Sequence, residues 1–242
     1  MANIYGRNPV EEAIIAGKTI NKIYFQKGIP ELKELKRLAI DNKIVIMEAD
    51  KIKLEKMVET RNHQGVVASV TEFEYSEIAD ILNYANEKGE APFVVILDKI
   101  EDPHNLGAII RSCECAGVHG IIIQKRNACQ VNDTVEKTAA GATAHMRVCR
   151  VTNITESIKE LQKAGLWIYG LDMGGEKNVF ETDFSGPVGI VVGNEGDGIT
   201  RLVRENCDFI TSIPMVGKIN SLNASVSVAL TVYEVLKQKL SK

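Results

Sequence analysis

Short apolar segments, each followed by a segment with helical periodicity, recur from Phe93 to the end of the chain. We predict the apolar segments as strands near 93–97, 120–124, 147–150, 166–171, 188–193 and 209–213. The intervening segments are predicted as helices near 105–117, 132–140, 153–164, 200–206 and 223–238. Uniformly apolar strands are typical of a sheet buried on both faces, and a helix after each strand favours parallel order. The pattern therefore predicts an α/β fold with a mainly parallel sheet.

The residues before Phe93 differ from this pattern in charge. Residues 1–70 carry 12 Lys or Arg against 9 Asp or Glu, whereas residues 71–90 carry 1 against 6. We therefore predict an N-terminal domain at 1–72, an acidic linker at 73–91 and a C-terminal domain at 92–242. By charge alone, the positive excess of the first segment is an ordinary solvated surface.

The N-terminal segment also alternates helical and strand patterns. We predict helices near 8–16, 31–40 and 51–58, and strands at 22–25, 43–47 and 65–70. Pro9 suits the first turn of the first helix, because its missing N–H would have no partner there. A small α/β sandwich is therefore expected.

Composition excludes several classes of protein. Hydrophobic residues make up 45% and charged residues 25%, as in ordinary globular proteins. The longest apolar runs fall far short of the roughly 20 residues that span a bilayer, and no export signal is visible at the N-terminus, so a cytoplasmic protein is expected. The odd number of cysteines, five, favours reduced thiols over a set of disulfides. The four histidines are scattered, and neither residue type shows metal-ligand spacing.

Three motifs follow predicted strands. In the first, Asn105 opens a helix that carries Arg111. The purely structural interpretation is that Asn105 caps this helix and that Arg111 is a solvated charge on its surface. In the second, Glu195 lies in a glycine-rich turn after a buried strand. The glycine order there is the reverse of the dinucleotide fingerprint, and no strand with an acidic end follows about 20 residues on. Glycine would nevertheless let the backbone approach a ligand closely.

The third motif is a Pro/Gly loop, 213–223, that leads into a helix rich in small residues. Ser221 or Asn223 is the expected cap of this helix. The small residues permit close packing against a strand or a second subunit.

Together these motifs resemble those of the SpoU/TrmH class of SPOUT RNA 2′-O-ribose methyltransferases. The matching segments are Asn105–Ser112, Val192–Ile199 and Ile213–Ser227, in the family order. The first segment of the chain, from Ile4 to Val66, is similar to the family's N-terminal substrate-binding domain, which is related to ribosomal-protein RNA-binding folds. The combination is most similar to the bacterial RlmB group, which methylates a guanosine ribose in 23S rRNA.

The resemblance implies a deep trefoil knot in the C-terminal domain, S-adenosylmethionine as cofactor, a homodimer and no required metal. The catalytic positions that it implies are Asn105, Arg111, Glu195, Ser221 and Asn223. The cofactor contacts that it implies, largely through backbone atoms, are Gly193, Asn194, Ile213, Met215, Leu222 and Ala224. The expected RNA contacts are Arg7, Arg61 and His63.

Arg111 matches the key catalytic position of the family, where it is proposed as the base. Because a guanidinium with a pKa above about 12 is a poor proton acceptor, our hypothesis is that Arg111 binds the adjacent phosphate and stabilises the developing alkoxide.

Three functions stay open at this point. The first is 2′-O-methylation of 23S rRNA, which the extra N-terminal domain favours. The second is the same chemistry on tRNA or on another rRNA site. The third is a non-catalytic RNA-binding or ribosome assembly factor, against which the intact site positions speak.

Overall fold

The computed structural model describes residues 2–15, 18, 20–70, 73–175, 177–196 and 198–241. The chain divides into two compact units between Glu74 and Tyr75. The boundary expected at residue 72 lies outside the described residues. Within the described ranges, every helix is too short or too polar to cross a membrane.

The first unit contains a sheet of four strands in the order β1-β4-β2-β3. Its strands are β1 (Ala2–Tyr5), β2 (Ile20–Gln26), β3 (Ile46–Ala49) and β4 (Val66–Val70), and its helices are α1 (Arg7–Ile15), α2 (Lys33–Asp41) and α3 (Lys51–Val58). Strand β4 pairs antiparallel with β1 and β2, whereas β2 and β3 are parallel.

Helices cover both faces of this sheet, as an α/β sandwich requires. Ile23 and Phe25 of β2 pack with residues of α1 and α2, whereas Tyr24 between them packs with Leu54 of α3. This alternation follows from the two-residue period of a strand. The strand expected at 43–47 begins only at Ile46, because Lys43 adopts a left-handed conformation (φ 58°) where the chain leaves α2.

The second unit alternates strands and helices. Its strands are β5 (Phe93–Asp98), β6 (Gly120–Gln124), β7 (Arg147–Val151), β8 (Trp167–Leu171), β9 (Lys177–Asn178), β10 (Val188–Gly193) and β11 (Phe209–Ser212). Its helices are α4 (Ile78–Glu87), α5 (Pro103–Cys115), α6 (Asp133–Ala139), α7 (Ile154–Lys163), α8 (Arg201–Glu205) and α9 (Ala224–Leu240).

These strands form one parallel sheet in the order β7-β6-β5-β10-β8-β11-β9. The central strands β5 and β10 are buried along their whole length. Helices α4, α7 and α8 contribute to a core cluster on one face, and α9 lies against β10 and packs with α5. The predicted α/β class and parallel sheet are confirmed, and the trefoil knot implied by the resemblance stays a prediction.

The expected linker at 73–91 is wrong for most of its length. Residues 78–87 form α4, whose Ile78, Ile81 and Ala85 are buried. Ile81 packs so closely on Gly120 that a Cβ at that glycine would clash with its side chain. Asp80 and Glu87 lie on the exposed side of this amphipathic helix, which the charge count alone did not distinguish from a linker.

A buried histidine ties the start of β5 to the turn before β6. The Phe93 N–H donates to His119 Nδ1 at 3.0 Å, so this nitrogen carries no proton, and Nε2 lies 3.2 Å from Glu90 Oε2. Burial, followed by the charge of Lys239, lowers the pKa of His119, with a smaller contribution from Lys88 and an opposing one from Glu90. The neutral ring is therefore the form that the fold requires.

We expect the stability supplied by His119 to depend on pH. Because its pKa is lowered by folding, the unfolded chain binds the proton more readily, and the stabilisation is complete above the ordinary pKa of about 6.5 and lost as the pH falls through the folded value. His119→Gln keeps an acceptor for Phe93 but does not titrate. Its stability deficit, measured by urea unfolding, should shrink as the pH falls from about 7.5 to about 5. A deficit independent of pH would contradict this expectation.

Candidate active site

A cavity of about 300 Å³ opens at the carboxyl ends of β8, β10 and β11. Its walls are Leu171, Asp172, Met173, Val192, Gly193, Asn194, Glu195, Gly196, Gly198, Ser212, Ile213, Met215, Asn220, Ser221, Leu222, Ala224 and Ser227. In parallel sheets this edge is where ligands bind, because the loops that follow the strands meet there.

The turn after β10 approaches its own backbone closely. Asn194 forms a bridge with Gly198, whose N–H donates to the Asn194 carbonyl at 3.1 Å. A Cβ at Gly193 would overlap the Gly198 carbonyl group, and Gly198 itself has a φ of 68°. The turn therefore needs glycine at position 193, where a side chain has no room, and at position 198, where the backbone is left-handed.

Glu195 joins the three motifs through one carboxylate oxygen. Its Oε1 accepts hydrogen bonds from Asn105 Nδ2 at 2.9 Å, from Asn223 Nδ2 at 2.6 Å and from the Ala224 N–H at 3.3 Å. Asn223 Nδ2 also lies 2.9 Å from Asn105 Oδ1. Hydrogen bonds to a charged acceptor are stronger than neutral ones, so this junction holds the starts of α5 and α9 against the turn after β10.

The helix caps differ in part from those expected. Asp102, not Asn105, caps α5, since its side chain accepts the His104 N–H at 3.0 Å. Asn105 lies one turn further on and is thereby free to join Glu195. Asn223 does cap α9, with Oδ1 accepting the Ser225 N–H at 2.9 Å, whereas Ser221 lies in the cavity wall. Asn223 thus serves the helix with its oxygen and the junction with its amide nitrogen.

The structure places the remaining predicted residues in three locations. All six expected cofactor contacts line the cavity, namely Gly193, Asn194, Ile213, Met215, Leu222 and Ala224. Arg111 is exposed on α5, does not line the cavity, and pairs with no described residue. Of the expected RNA contacts in the first unit, Arg61 is exposed, Arg7 is half-buried and His63 is buried, its Nδ1 accepting the Gly65 N–H at 3.0 Å.

Sequence reasoning missed one charged residue of the cavity wall. Asp172 directly follows β8, and one of its carboxylate oxygens is bound by Arg204. Its position at the end of a predicted strand was a signal that could have found it.

The cavity residues fit S-adenosylmethionine, the cofactor that the resemblance implies. Two carboxylates, of Asp172 and Glu195, suit a ligand with a positive sulfonium centre. Leu222 and Met215 offer apolar contact for an adenine ring, and the glycines expose backbone groups.

The cysteines near the sheet do not supply a nucleophile. Burial raises the pKa of Cys207 to about 12, and that of Cys149 to about 11. Burial also raises the pKa of Cys113. These thiols are therefore protonated at neutral pH, and the thiolate is the reactive form.

Two family models together match most of the chain. Residues 92–233 match the SpoU rRNA Methylase family. The chain belongs to this family. Residues 3–76 match a model described as RNA 2′-O ribose methyltransferase substrate binding.

Relatives of this chain extend over its full length. A Staphylococcus saprophyticus protein named as a TrmH family tRNA/rRNA methyltransferase is 42% identical, with 98% of this chain and 95% of that protein covered. Bacillus subtilis YacO, named in the same way, is 40% identical over the same shares. As a SpoU family member with such relatives, the chain is an RNA methyltransferase.

Solved structures agree with this membership. The SpoU methyltransferase AviRb from Streptomyces viridochromogenes, crystallised in complex with AdoMet, has a TM-score of 0.66 and 25% identity, with 99% of this chain and 90% of that chain covered. The TrmH/SpoU tRNA modifying enzyme of A. aeolicus has a TM-score of 0.57 and 28% identity, with 63% of this chain and 77% of that chain covered.

Proposed function

We propose that this chain binds S-adenosylmethionine in the cavity and transfers its methyl group to a ribose 2′-hydroxyl, of a guanosine in 23S rRNA. The observation that carries the proposal is the junction of Asn105, Glu195 and Asn223 at the wall of a glycine-lined cavity. The substrate-binding match over residues 3–76 supports an RNA ribose as the acceptor. The place of reaction would be the cytoplasm, where ribosomal RNA is made and modified in bacteria.

When bound, the cofactor would supply an electrophilic methyl group through cleavage of its S–C bond and would leave as S-adenosylhomocysteine, while the proton of the 2′-hydroxyl passes to solvent. The protein has to align the acceptor oxygen and stabilise the charge that develops on it. Arg111 is the exposed cation proposed for this task, through the phosphate beside the reacting ribose. Asn105, Glu195 and Asn223 would hold the loops and the ribose in place, with Ser221 in the cavity wall. Protonated thiols do not favour a route through a covalent cysteine adduct.

RNA docking is assigned to the first unit. Arg61 is exposed and can contact a phosphate directly. His63 is buried and holds the turn before β4, so we now assign it to support of the loop and keep Arg61 and Arg7 as the contact candidates.

Mapping of ribose methylation tests the target. In a deletion strain we expect the loss of one 2′-O-methylguanosine in 23S rRNA, restored by the wild-type gene and not by an Arg111→Ala gene. Loss in tRNA instead would contradict the rRNA target and support the second candidate, which the tRNA modifying enzyme of A. aeolicus favours. Unchanged RNA, with no S-adenosylmethionine binding by calorimetry, would favour a non-catalytic RNA-binding factor.

We also propose that the enzyme is a homodimer joined through the exposed face of α9. Val226, Leu230 and Tyr233 are 44%, 39% and 47% exposed on this face, and the small residues Ser225 and Ala229 lie between them. An exposed apolar face of this kind suits a two-fold interface, in which both subunits use the same surface.

Sedimentation should show a species of twice 26.6 kDa at micromolar concentration. Leu230→Glu should shift it to the monomer, because a carboxylate would be buried without a partner in the interface. The matched control is Leu202→Glu, at a residue 59% exposed on α8, which should leave the dimer intact. A wild-type monomer would contradict the proposal.

A further inference from the structure

Asp172 is a carboxylate of the cavity wall to which the proposed mechanism assigns no particular contact with the cofactor. Val192 of β10 pairs with Leu171 of β8, so the next positions, Gly193 and Asp172, lie side by side where the two strands end. The acidic side chain therefore lies next to the start of the glycine-rich turn.

Asp172 is held in place from two sides. Its Oδ1 accepts the Met173 N–H at 2.7 Å, and its other oxygen is bound by the Arg204 guanidinium. Gly198 lies beside it, since a Cβ there would come within 3.3 Å of Oδ1. The side chain is 22% exposed, so it faces the cavity as a fixed, accessible anion.

The two carboxylates of the cavity lie on opposite sides of β10. Glu195 contacts Asn105, at the start of the helix that follows β5, whereas Asp172 follows β8. If Arg111 of α5 contacts the RNA phosphate, as proposed above, the methyl-donating end of the cofactor would lie towards α5. Its nucleoside end would then lie towards β8 and Asp172.

An acidic residue at the end of a strand beside a glycine-rich turn is the arrangement that holds a ribose hydroxyl in dinucleotide-binding folds. Here the acidic strand end precedes the glycines in the chain, which is why a search after them does not find it. We propose that Asp172 accepts hydrogen bonds from the ribose hydroxyls of S-adenosylmethionine and that Arg204 is a positioning residue for Asp172. The inference rests on the cofactor assignment under the proposed function.

Calorimetry without RNA tests the role of Asp172. The probes are S-adenosylmethionine, S-adenosylhomocysteine, which keeps the ribose but lacks the sulfonium charge, and the 2′,3′-dideoxyribose form of S-adenosylhomocysteine. Asp172→Asn retains an acceptor for the Met173 N–H. It should lower the affinities for S-adenosylmethionine and S-adenosylhomocysteine by a similar factor of about 10 to 100. The 2′,3′-dideoxyribose form, which lacks both ribose hydroxyls, should bind to the wild-type protein more weakly than S-adenosylhomocysteine by a comparable factor. The Asp172→Asn variant should bind these two compounds with nearly equal affinity.

Arg204 is tested through its dependence on Asp172. Arg204→Gln should weaken S-adenosylhomocysteine binding, Arg204→Lys should restore part of it, and Arg204→Gln should have little further effect in the Asp172→Asn background. The matched control is Arg201→Gln on the same helix, because Arg201 is exposed and pairs with Glu205 at 2.7 Å. Thermal unfolding of the unliganded variants reports separately whether they fold.

Each remaining outcome overturns the inference. Unchanged binding of S-adenosylhomocysteine by a folded Asp172→Asn variant would exclude the ribose contact, and a loss confined to S-adenosylmethionine would assign Asp172 to the sulfonium charge instead. If wild type binds neither compound, the cofactor assignment fails and this inference fails with it.

Discussion

Replacement of Arg111 by alanine is expected to lower the rate of methyl transfer by about 100- to 1,000-fold while the affinity for S-adenosylmethionine stays unchanged. Arg111 is exposed, pairs with no described residue and lies outside the cavity wall, so its removal leaves the cofactor contacts in place. A charge that acts on the acceptor oxygen or its phosphate matters in the transition state more than in cofactor binding. Single-turnover rates and calorimetry on the same preparation measure the two quantities.

The control for this experiment is Arg201→Ala, another exposed arginine of the second unit, which should retain full activity. Arg111→Lys separates two roles of the side chain, since lysine keeps a charge but not the planar fork of donors. Full activity of the lysine variant over the whole pH profile would exclude any role that needs the guanidinium. Full activity of the alanine variant would remove Arg111 from the mechanism.

Gly193→Ala is expected to weaken cofactor binding by about 10- to 100-fold. The new Cβ would overlap the carbonyl group of Gly198, so the turn after β10 has to shift, and overpacking of this kind costs about 1–3 kcal/mol. Because this turn also carries Glu195, the shift should loosen the junction with Asn105 and Asn223. Calorimetry with S-adenosylmethionine measures the effect.

Gly217→Ala provides the matched control in the loop after β11. A Cβ at Gly217 meets no atom within 4 Å, so the same added methyl group should leave binding unchanged. Thermal unfolding shows whether Gly193→Ala has lost its fold as a whole. Wild-type affinity in a folded Gly193→Ala protein would mean that the close approach in this turn is not needed for the cofactor.

Much of the parallel sheet could be predicted, and the reason is physical. Strands such as β5 and β10 are buried along their whole length, so their composition is uniformly apolar and visible in the chain. Helix α4 was missed although Ile78, Ile81 and Ala85 follow the helical period, because the acidic residues in and around it were counted without regard to that period. Here local periodicity was the better guide to structure than net charge.

The candidate site shows a similar division. The motifs placed Asn105, Glu195 and Asn223 among the candidates. Asn105 lies 90 positions before Glu195 and 118 before Asn223, and Glu195 lies 28 before Asn223, so only the fold joins the three through one carboxylate oxygen. The cap of α5 was assigned to Asn105, since the local sequence allows Asn105 to act either as a helix cap or as a site residue. Tertiary contact with Glu195 decides the role, and Asp102 provides the cap instead.

By itself the sequence determined the α/β class, the motifs and hence the family, because these depend on local periodicity and on residue types at short spacing. The tertiary structure decided which residues share the cavity, since this depends on the spatial order β5-β10-β8, in which a strand from later in the chain lies between two earlier ones. That order places Asn105 on one side of the glycine-rich turn and Asp172 on the other. A linear search for spacing cannot find such a pair, because neighbours in a sheet are set by hydrogen bonds between strands and not by distance along the chain.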